Sequence, residues 1–266
     1  MEGIMEGISL LIPTRKRPES MERFARSVDE TTSDHKNIEI VFGIDEDDTA
    51  SFVKANELAK ICKIQISPKI LEPWSDGGVN LASYWNQCYT ASKYDIVGYF
   101  GDDVIFRTKD WDKQIIHLLK DYTRMIAPNT VHQPLIRRRG VFSGIAADLF
   151  FTHKRVHNLF GYYLHESLKR YCTDMVLEFI YKRSGRFCYR EDIVTEHITT
   201  YAFPQITDET HLRMSQWGAE GFQLFESDMI QNEIIRCSEL LNELVLKFKK
   251  RSGTLSPRFR KNPVKG

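Results

Sequence analysis

Two aspartates, Asp102 and Asp103, follow Gly101 at the end of the apolar run Tyr94 to Phe100. Paired carboxylates at the end of a buried strand can hold a hard divalent cation through oxygen, as Mg²⁺ or Mn²⁺ requires, and the glycine lets the backbone turn into the pair. The same two residues would also serve as a turn and cap leading into a helix at Asp110. Asp45 ends a second apolar run, Ile38 to Ile44, and opens the acidic loop Asp45-Glu46-Asp47-Asp48. A carboxylate there can accept hydrogen bonds from a nucleotide base or from ribose hydroxyls. For Glu46 to Asp48 the expectation is a solvated turn. Asp174, beside Thr173 at the start of an expected helix, has the helix dipole to favour its ionised form, the form that takes a proton from a hydroxyl nucleophile. An aspartate at a helix start also simply stabilises the helix. His197 can complete a metal shell as neutral imidazole or serve the structure alone.

These residues need elements to position them. Ile8 to Ile12 reads as a buried strand ended by Pro13, followed by a helix that begins at Pro18 and repeats Met21, Phe24, Ala25 and Val28 at helical spacing. Ile38 to Ile44 is a second strand. A helix through Phe52, Val53, Leu58 and Ala59 follows it, then a strand from Ile64 to Ile70. The turn Trp74 to Gly78 opens a helix through Leu81, Ala82 and Trp85, and Tyr94 to Phe100 is the next strand. Repeated βα units with apolar strands predict a mostly parallel sheet with helices on both faces, whose ligands sit beyond the carboxyl ends of the strands. Pro13-Thr14-Arg15, Asp45 to Asp48 and Asp102-Asp103 all fall on that edge. Later the chain offers a strand around Val141 to Phe151, a helix from Thr173 to Gly185, and strand signals at Phe187 to Tyr189 and Ile193-Val194. One long helix is expected over residues 219 to 249, with Phe222, Phe225, Met229, Ile230, Ile234, Cys237, Leu241, Leu244 and Phe248 as its apolar stripe.

At 266 residues the chain suits one large domain with an appendage. The division expected is 1–218 for the domain, with a donor half at about 8–110 and an acceptor half at about 111–218, then a helix at 219–250 and a flexible tail at 251–266. The 27% charged and 12% aromatic residues exclude collagen-like, wholly disordered and disulfide-scaffold classes. A formal charge of +1 hides an asymmetry. Eight basic residues and no acid lie between Lys247 and Gly266, so the +1 less these eight leaves −7 on residues 1–246. The five cysteines form no Cys-x-x-Cys pair and read as reduced thiols. With neither a secretory leader nor a span of ~18 apolar residues, a cytoplasmic protein without a membrane partner is expected.

Taken in order, Ile12-Pro13-Thr14-Arg15, Ile44-Asp45, Gly78 with Ala82 and Asn86, Phe100-Gly101-Asp102-Asp103, Thr173-Asp174 and Glu196-His197 resemble a GT-A fold glycosyltransferase, close to family 2, over about residues 8–200. The resemblance implies a Rossmann-like GT-A domain, a nucleotide-diphosphate sugar donor such as a UDP-sugar, and Mn²⁺ or Mg²⁺. By analogy Pro13, Thr14, Arg15 and Asp45 hold the nucleoside, with Gly78, Asn86 and Asp102 also on the donor side. Asp103 ligates the metal, His197 contacts metal or diphosphate, and Asp174 is the general base. Three positions depart from the family pattern. Gly101 stands where many members carry the first acid of Asp-x-Asp, Tyr84-Trp85-Asn86 replaces Ala-Arg-Asn, and Thr173 stands where Glu often precedes the base.

The basic loop Arg137-Arg138-Arg139 and the basic tail suggest a polyanionic acceptor such as DNA, with Trp74, Trp85 or Trp217 available to stack. Alternatively, the three arginines bind the donor diphosphate or lie solvated. A compact enzyme with basic appendages resembles bacteriophage enzymes that glycosylate hydroxymethylated DNA bases, which would place it in the host cytoplasm. A cell-surface polysaccharide or a small acceptor is the alternative for a transferase. A non-catalytic nucleotide-sugar or nucleic-acid binding protein on a degraded GT-A scaffold is the alternative from another class. A nucleotidyltransferase would want a Gly-rich loop, which Pro13 to Arg17 lacks.

Overall fold

Four apolar strands of the first half lie side by side and parallel in a computed structural model that describes residues 6–72, 80–131, 149–169, 172–198 and 218–251. They are β1 (Ile8–Thr14), β2 (Ile38–Asp45), β3 (Gln65–Leu71) and β4 (Ile96–Tyr99). Short β5 (Val104–Phe106), β6 (Met125–Thr130), β7 (Phe150–His153) and long β8 (Phe187–His197) extend them to eight strands in the order β3-β2-β1-β4-β7-β6-β8-β5. Beyond β4 the sheet turns mixed. β7 is antiparallel to both β4 and β6, β8 is parallel to β6, and β5 is antiparallel to β8. The helices are α1 (Pro18–Thr31), α2 (Thr49–Ile61), α3 (Leu81–Ala91), α4 (Trp111–Leu118), α5 (Lys154–Phe160), α6 (Thr173–Arg183), α7 (Gly218–Phe225) and α8 (Asp228–Arg251).

The two-residue side-chain period of the strands divides the core into two layers. Ile8, Leu10 and Ile12 of β1 face one side, with Phe24 of α1, Leu58 of α2 and Trp111 of α4. Leu11 faces the other, with Trp85 of α3, Val156 of α5, Leu177 of α6 and Ile234 of α8. Helices on both faces leave the strand ends as the place where polar loops gather. Among the described residues no helix is long and apolar enough to cross a membrane.

Several sequence expectations shift. β1 does not stop at Pro13: Thr14 still pairs with Ile44, because near a strand end the missing proline N–H disturbs the ladder little. Asp102-Asp103 leads into β5 rather than directly into a helix. On α2 only Ser51, Ala55 and Leu58 are buried, while Phe52, Val53 and Ala59 face out. Thr173 is the first residue of α6, and its cap is Cys172, held in the left-handed region at φ 69°. The two strand signals after Gly185 belong to one strand, β8. The expected long helix is two, α7 and α8, broken at Glu226-Ser227, where Ser227 donates to the Leu224 carbonyl at 2.5 Å. Phe222 and Met229 of the expected stripe are exposed, whereas Ile230, Ile234, Cys237 and Leu241 pack inward. The strand expected from Val141 is described only from Phe150, and residues 252–266 of the tail lie outside the described residues.

Candidate active site

The β1–α1 connection is three basic residues, Arg15-Lys16-Arg17, and its path is set by Lys16 in the left-handed region at φ 54°. A non-glycine residue there costs ~1–2 kcal/mol. The Lys16 N–H donates to Asp48 at 2.5 Å, which secures that geometry. Arg15 turns toward β2, donating to Asp45 and making two bonds to Asp47 at 2.5 and 2.7 Å. Burial pushes the Asp45 carboxyl up even against the Arg15 charge, while the hydrogen-bonded Arg15 fork pulls Asp47 down. Asp48 is buried and also caps α2 by accepting from the Ser51 N–H at 3.1 Å. The expectation of a solvated turn therefore holds for Glu46 and for Asp47, which stays exposed while pairing with Arg15, but not for the buried Asp48. Asp48 ahead of Thr49 and Ser51 is an N-cap pattern that the sequence already carried.

On the other side of the connection, Arg17 and Thr14 hold Asp102. The Thr14 hydroxyl donates to Asp102 Oδ2 at 2.5 Å, and Arg17 Nη1 lies 3.2 Å from Oδ1. Asp102 is 4% exposed, and burial, with the neighbouring Asp103 charge, pushes its carboxyl up to about 6 despite Arg17. Asp103 goes the opposite way. Burial would raise it, but His197 beside it and then Arg17 outweigh that and hold it below the usual carboxylate range. Environments that separate two adjacent carboxylates mark a chemically differentiated pair. Gly101 makes room for this arrangement, since a Cβ at that position would meet Asp103 Oδ1 at 2.5 Å.

His197 reaches Asp103 through strand register. β8 pairs with β5 so that His197 stands opposite Val104, and the Ile198 N–H donates to the Asp103 carbonyl at 2.8 Å. His197 Nε2 then lies 3.2 Å from Asp103 Oδ1. Two ligands at right angles, each about 2.1 Å from a small divalent cation, are about 3 Å apart. The contact is an ion pair as it stands, and one carboxylate oxygen with one imidazole nitrogen at this separation would suit Mn²⁺ better than Mg²⁺, which prefers oxygen ligands. Among the described residues no group of three or more such ligands forms, so substrate oxygens and water would complete an octahedral shell.

The remaining predicted residues fall elsewhere or outside the described residues. Pro13 lies beside Gly43 in the β1–β2 register. Asn86 has both ends of its amide engaged by the backbone of Leu164, accepting from its N–H at 2.8 Å and donating to its carbonyl at 3.0 Å, and it also donates to Glu166 at 2.8 Å. Asn80, the cap of α3, donates to the Glu166 carbonyl at 3.0 Å. Asn86 thus fastens α3 to the segment that leads toward α6. Asp174 is half-buried in the first turn of α6; its charge, with that of Glu226, adds to the burial that pushes the Cys172 thiol up to about 12. Gly78 and Arg137, Arg138 and Arg139 lie outside the described residues, as do Trp74 and Trp217. Trp85 is not available to stack on a base. It is 8% exposed, donates to the Leu11 carbonyl at 3.1 Å and stacks on Tyr99 at 4.3 Å. Arg17 joins the site without a sequence motif of its own; its only signal is a third basic residue directly before the Pro18 helix.

No protein-family model matches the chain, and no curated protein matches it. Among solved structures, TarS of S. aureus, a glycosyltransferase, aligns over 87% of this chain with a TM-score of 0.56 and 14% identity. The fold is GT-A-like. The chain spans about half, 48%, of that TarS chain. TarS 1–349 in complex with UDP aligns over 96% of this chain and 94% of its own, with a TM-score of 0.55 and 13% identity. The complex with UDP-GlcNAc aligns over 94% and 74%, again with a TM-score of 0.55 and 13% identity. In this GT-A-like sheet the parallel strands β2, β1 and β4 are neighbours, and the side chains described above gather at their carboxyl ends.

Proposed function

We propose that the chain is a glycosyltransferase that moves a sugar from a UDP-sugar to an acceptor hydroxyl. The observation that carries this reading is the row of paired side chains along the carboxyl edge: Arg15 with Asp45, Thr14 and Arg17 with Asp102, and His197 with Asp103. Neighbouring strands are about 4.8 Å apart, so the row from β2 to β4 extends about 10 Å, enough to separate a nucleoside end from a phosphate end. The shared fold with a protein crystallised with UDP and with UDP-GlcNAc supports the same reading.

In this reading Asp45, Pro13, Thr14 and Arg15 receive the nucleoside, with the raised Asp45 carboxyl as the hydrogen-bonding group for the base. Asp103 and His197 hold Mn²⁺ or Mg²⁺, which when bound neutralises charge that builds on the departing diphosphate. Asp102, anchored by Thr14 and Arg17, keeps the turn that aims Asp103. Asp174 takes the proton from the acceptor hydroxyl as its oxygen attacks the anomeric carbon, and the bond from that carbon to the diphosphate oxygen breaks. Asp174 stands in the first turn of α6, where the helix dipole favours a negative charge.

The test is turnover of a panel of nucleotide sugars by the full chain with Mn²⁺ or Mg²⁺. UDP-sugar is expected to be hydrolysed or transferred, and Asp103→Ala or excess chelator to abolish it. Full activity under either condition rejects the metal assignment. Asp174→Asn is expected to keep donor binding and lose transfer, so a full-rate variant removes Asp174 as base. For the acceptor, the basic segment 137–139 and the tail favour a hydroxyl on a polyanion, a hydroxymethylated base in DNA.

A further inference from the structure

We infer that Arg17 binds the diphosphate of the nucleotide-sugar donor, an inference that rests on the donor-site reading above. The three cations of the β1–α1 connection are not equivalent. Arg15 is taken up by Asp45 and Asp47 at the β2 end of the row. The Lys16 side chain is exposed. Arg17 turns inward, with its side chain 16% exposed and Nη1 3.2 Å from Asp102 Oδ1. Its charge acts on both Asp102 and Asp103, so it lies at the end of the row where the carboxylates and His197 meet.

Charge balance explains why a guanidinium belongs there. Asp102 and Asp103 together match the charge of one divalent cation, so a further cation is needed for the site to carry a net positive charge toward a diphosphate. Arg17 makes the sum positive. A planar guanidinium with five donors also suits phosphate oxygens better than a point charge does. The neighbouring helix cannot supply the cation: α3 contains no Lys or Arg, and its Trp85 is committed to the Leu11 carbonyl and the Tyr99 ring. The left-handed Lys16 stands between Arg15, which pairs with Asp45, and Arg17, which pairs with Asp102, so one short connection serves both carboxylates.

The experiment is calorimetric titration of the full chain, in Mn²⁺, with uridine and with UDP. The wild-type protein is expected to bind UDP more tightly than uridine. Arg17→Ala is expected to weaken UDP by about tenfold or more, the scale of charge-assisted hydrogen bonds, while uridine stays within about twofold. Arg17→Lys recovers part of the loss. The double variant Arg17→Ala/Asp102→Asn removes the pair together and avoids an uncompensated buried charge; it too is expected to lose the gain from the diphosphate. Restored UDP affinity in the double variant, or equal weakening of uridine and UDP in Arg17→Ala, would show that Arg17 only neutralises Asp102, and would overturn the inference. Absence of uridine and UDP binding in the wild-type protein would instead overturn the donor-site reading itself.

Discussion

Gly101 leaves the room that the Asp103 carboxylate occupies as it faces His197. Gly101→Ala would bring a Cβ to 2.5 Å from Asp103 Oδ1, so the carboxylate must swing away. The expected result is a shift of about tenfold or more in the Mn²⁺ concentration that half-activates turnover, the scale on which misdirected ligand shells act, with thermal stability nearly unchanged. An unchanged metal titration would contradict this. Asp45, Asp102 and Asp103 were legible in the sequence because each ends or follows an apolar run, where strand period and turn chemistry say where the chain exits. The role of Arg17 was not, nor was the bond from the Lys16 N–H to Asp48, because both depend on one left-handed residue, Lys16, whose backbone state no side-chain pattern announces; the capping of α2 by Asp48 was readable from its spacing to Ser51. Thr14 is intermediate. Its place at the strand end was readable, but its bond across to Asp102 required knowing that β4 lies beside β1.

Elements carry two further expectations. Asn86 and Asn80 fasten α3 to the segment 164–166 by hydrogen bonds to its backbone. Asn86→Ala leaves a backbone N–H and carbonyl short of partners, at about 1–3 kcal/mol of stability, readable as a lower denaturation midpoint in urea. It should also reduce kcat more than the donor KM, since the segment leads toward the helix that bears Asp174; an equal change in both would remove the positioning role. Where β7 meets α5, burial lowers His153 to about 4 and His157 to about 3, below the ordinary imidazole value. Both stay neutral in the fold while the unfolded chain takes up protons below about pH 6.5. Stability therefore falls as pH drops from about 6.5 toward 4, by ~1.4 kcal/mol per pH unit for each histidine. His157→Gln should flatten that limb by about one histidine's share in urea titrations at successive pH values. The sequence named neither residue, because burial of a lone histidine follows from packing between elements distant in the chain. The elements themselves were more readable: α1, β2 and α3 follow from their apolar patterns, whereas the break between α7 and α8 leaves no mark because the apolar spacing runs through it.

At the scale of the whole molecule, repeated βα units announced the parallel half of the sheet, and their carboxyl edge announced where polar loops would gather. The mixed half was not legible, since β5 and β8 meet only through a long connection, yet that meeting delivers His197 to Asp103. The charge asymmetry was legible from composition alone. If DNA is the acceptor, deleting residues 252–266 should weaken DNA binding and reduce its dependence on salt concentration, and binding indifferent to both salt and deletion would point to an uncharged acceptor. In the function proposed above, the carboxyl edge of β2, β1 and β4 is a nucleoside-diphosphate site built around Asp103. Calorimetric titration of UDP with and without Mn²⁺, into the wild-type chain and Asp103→Ala, tests it most directly. The expected result is UDP binding that Mn²⁺ strengthens in the wild type, with that strengthening lost in Asp103→Ala; no UDP binding under either condition, or the same Mn²⁺ effect in both proteins, rejects the site.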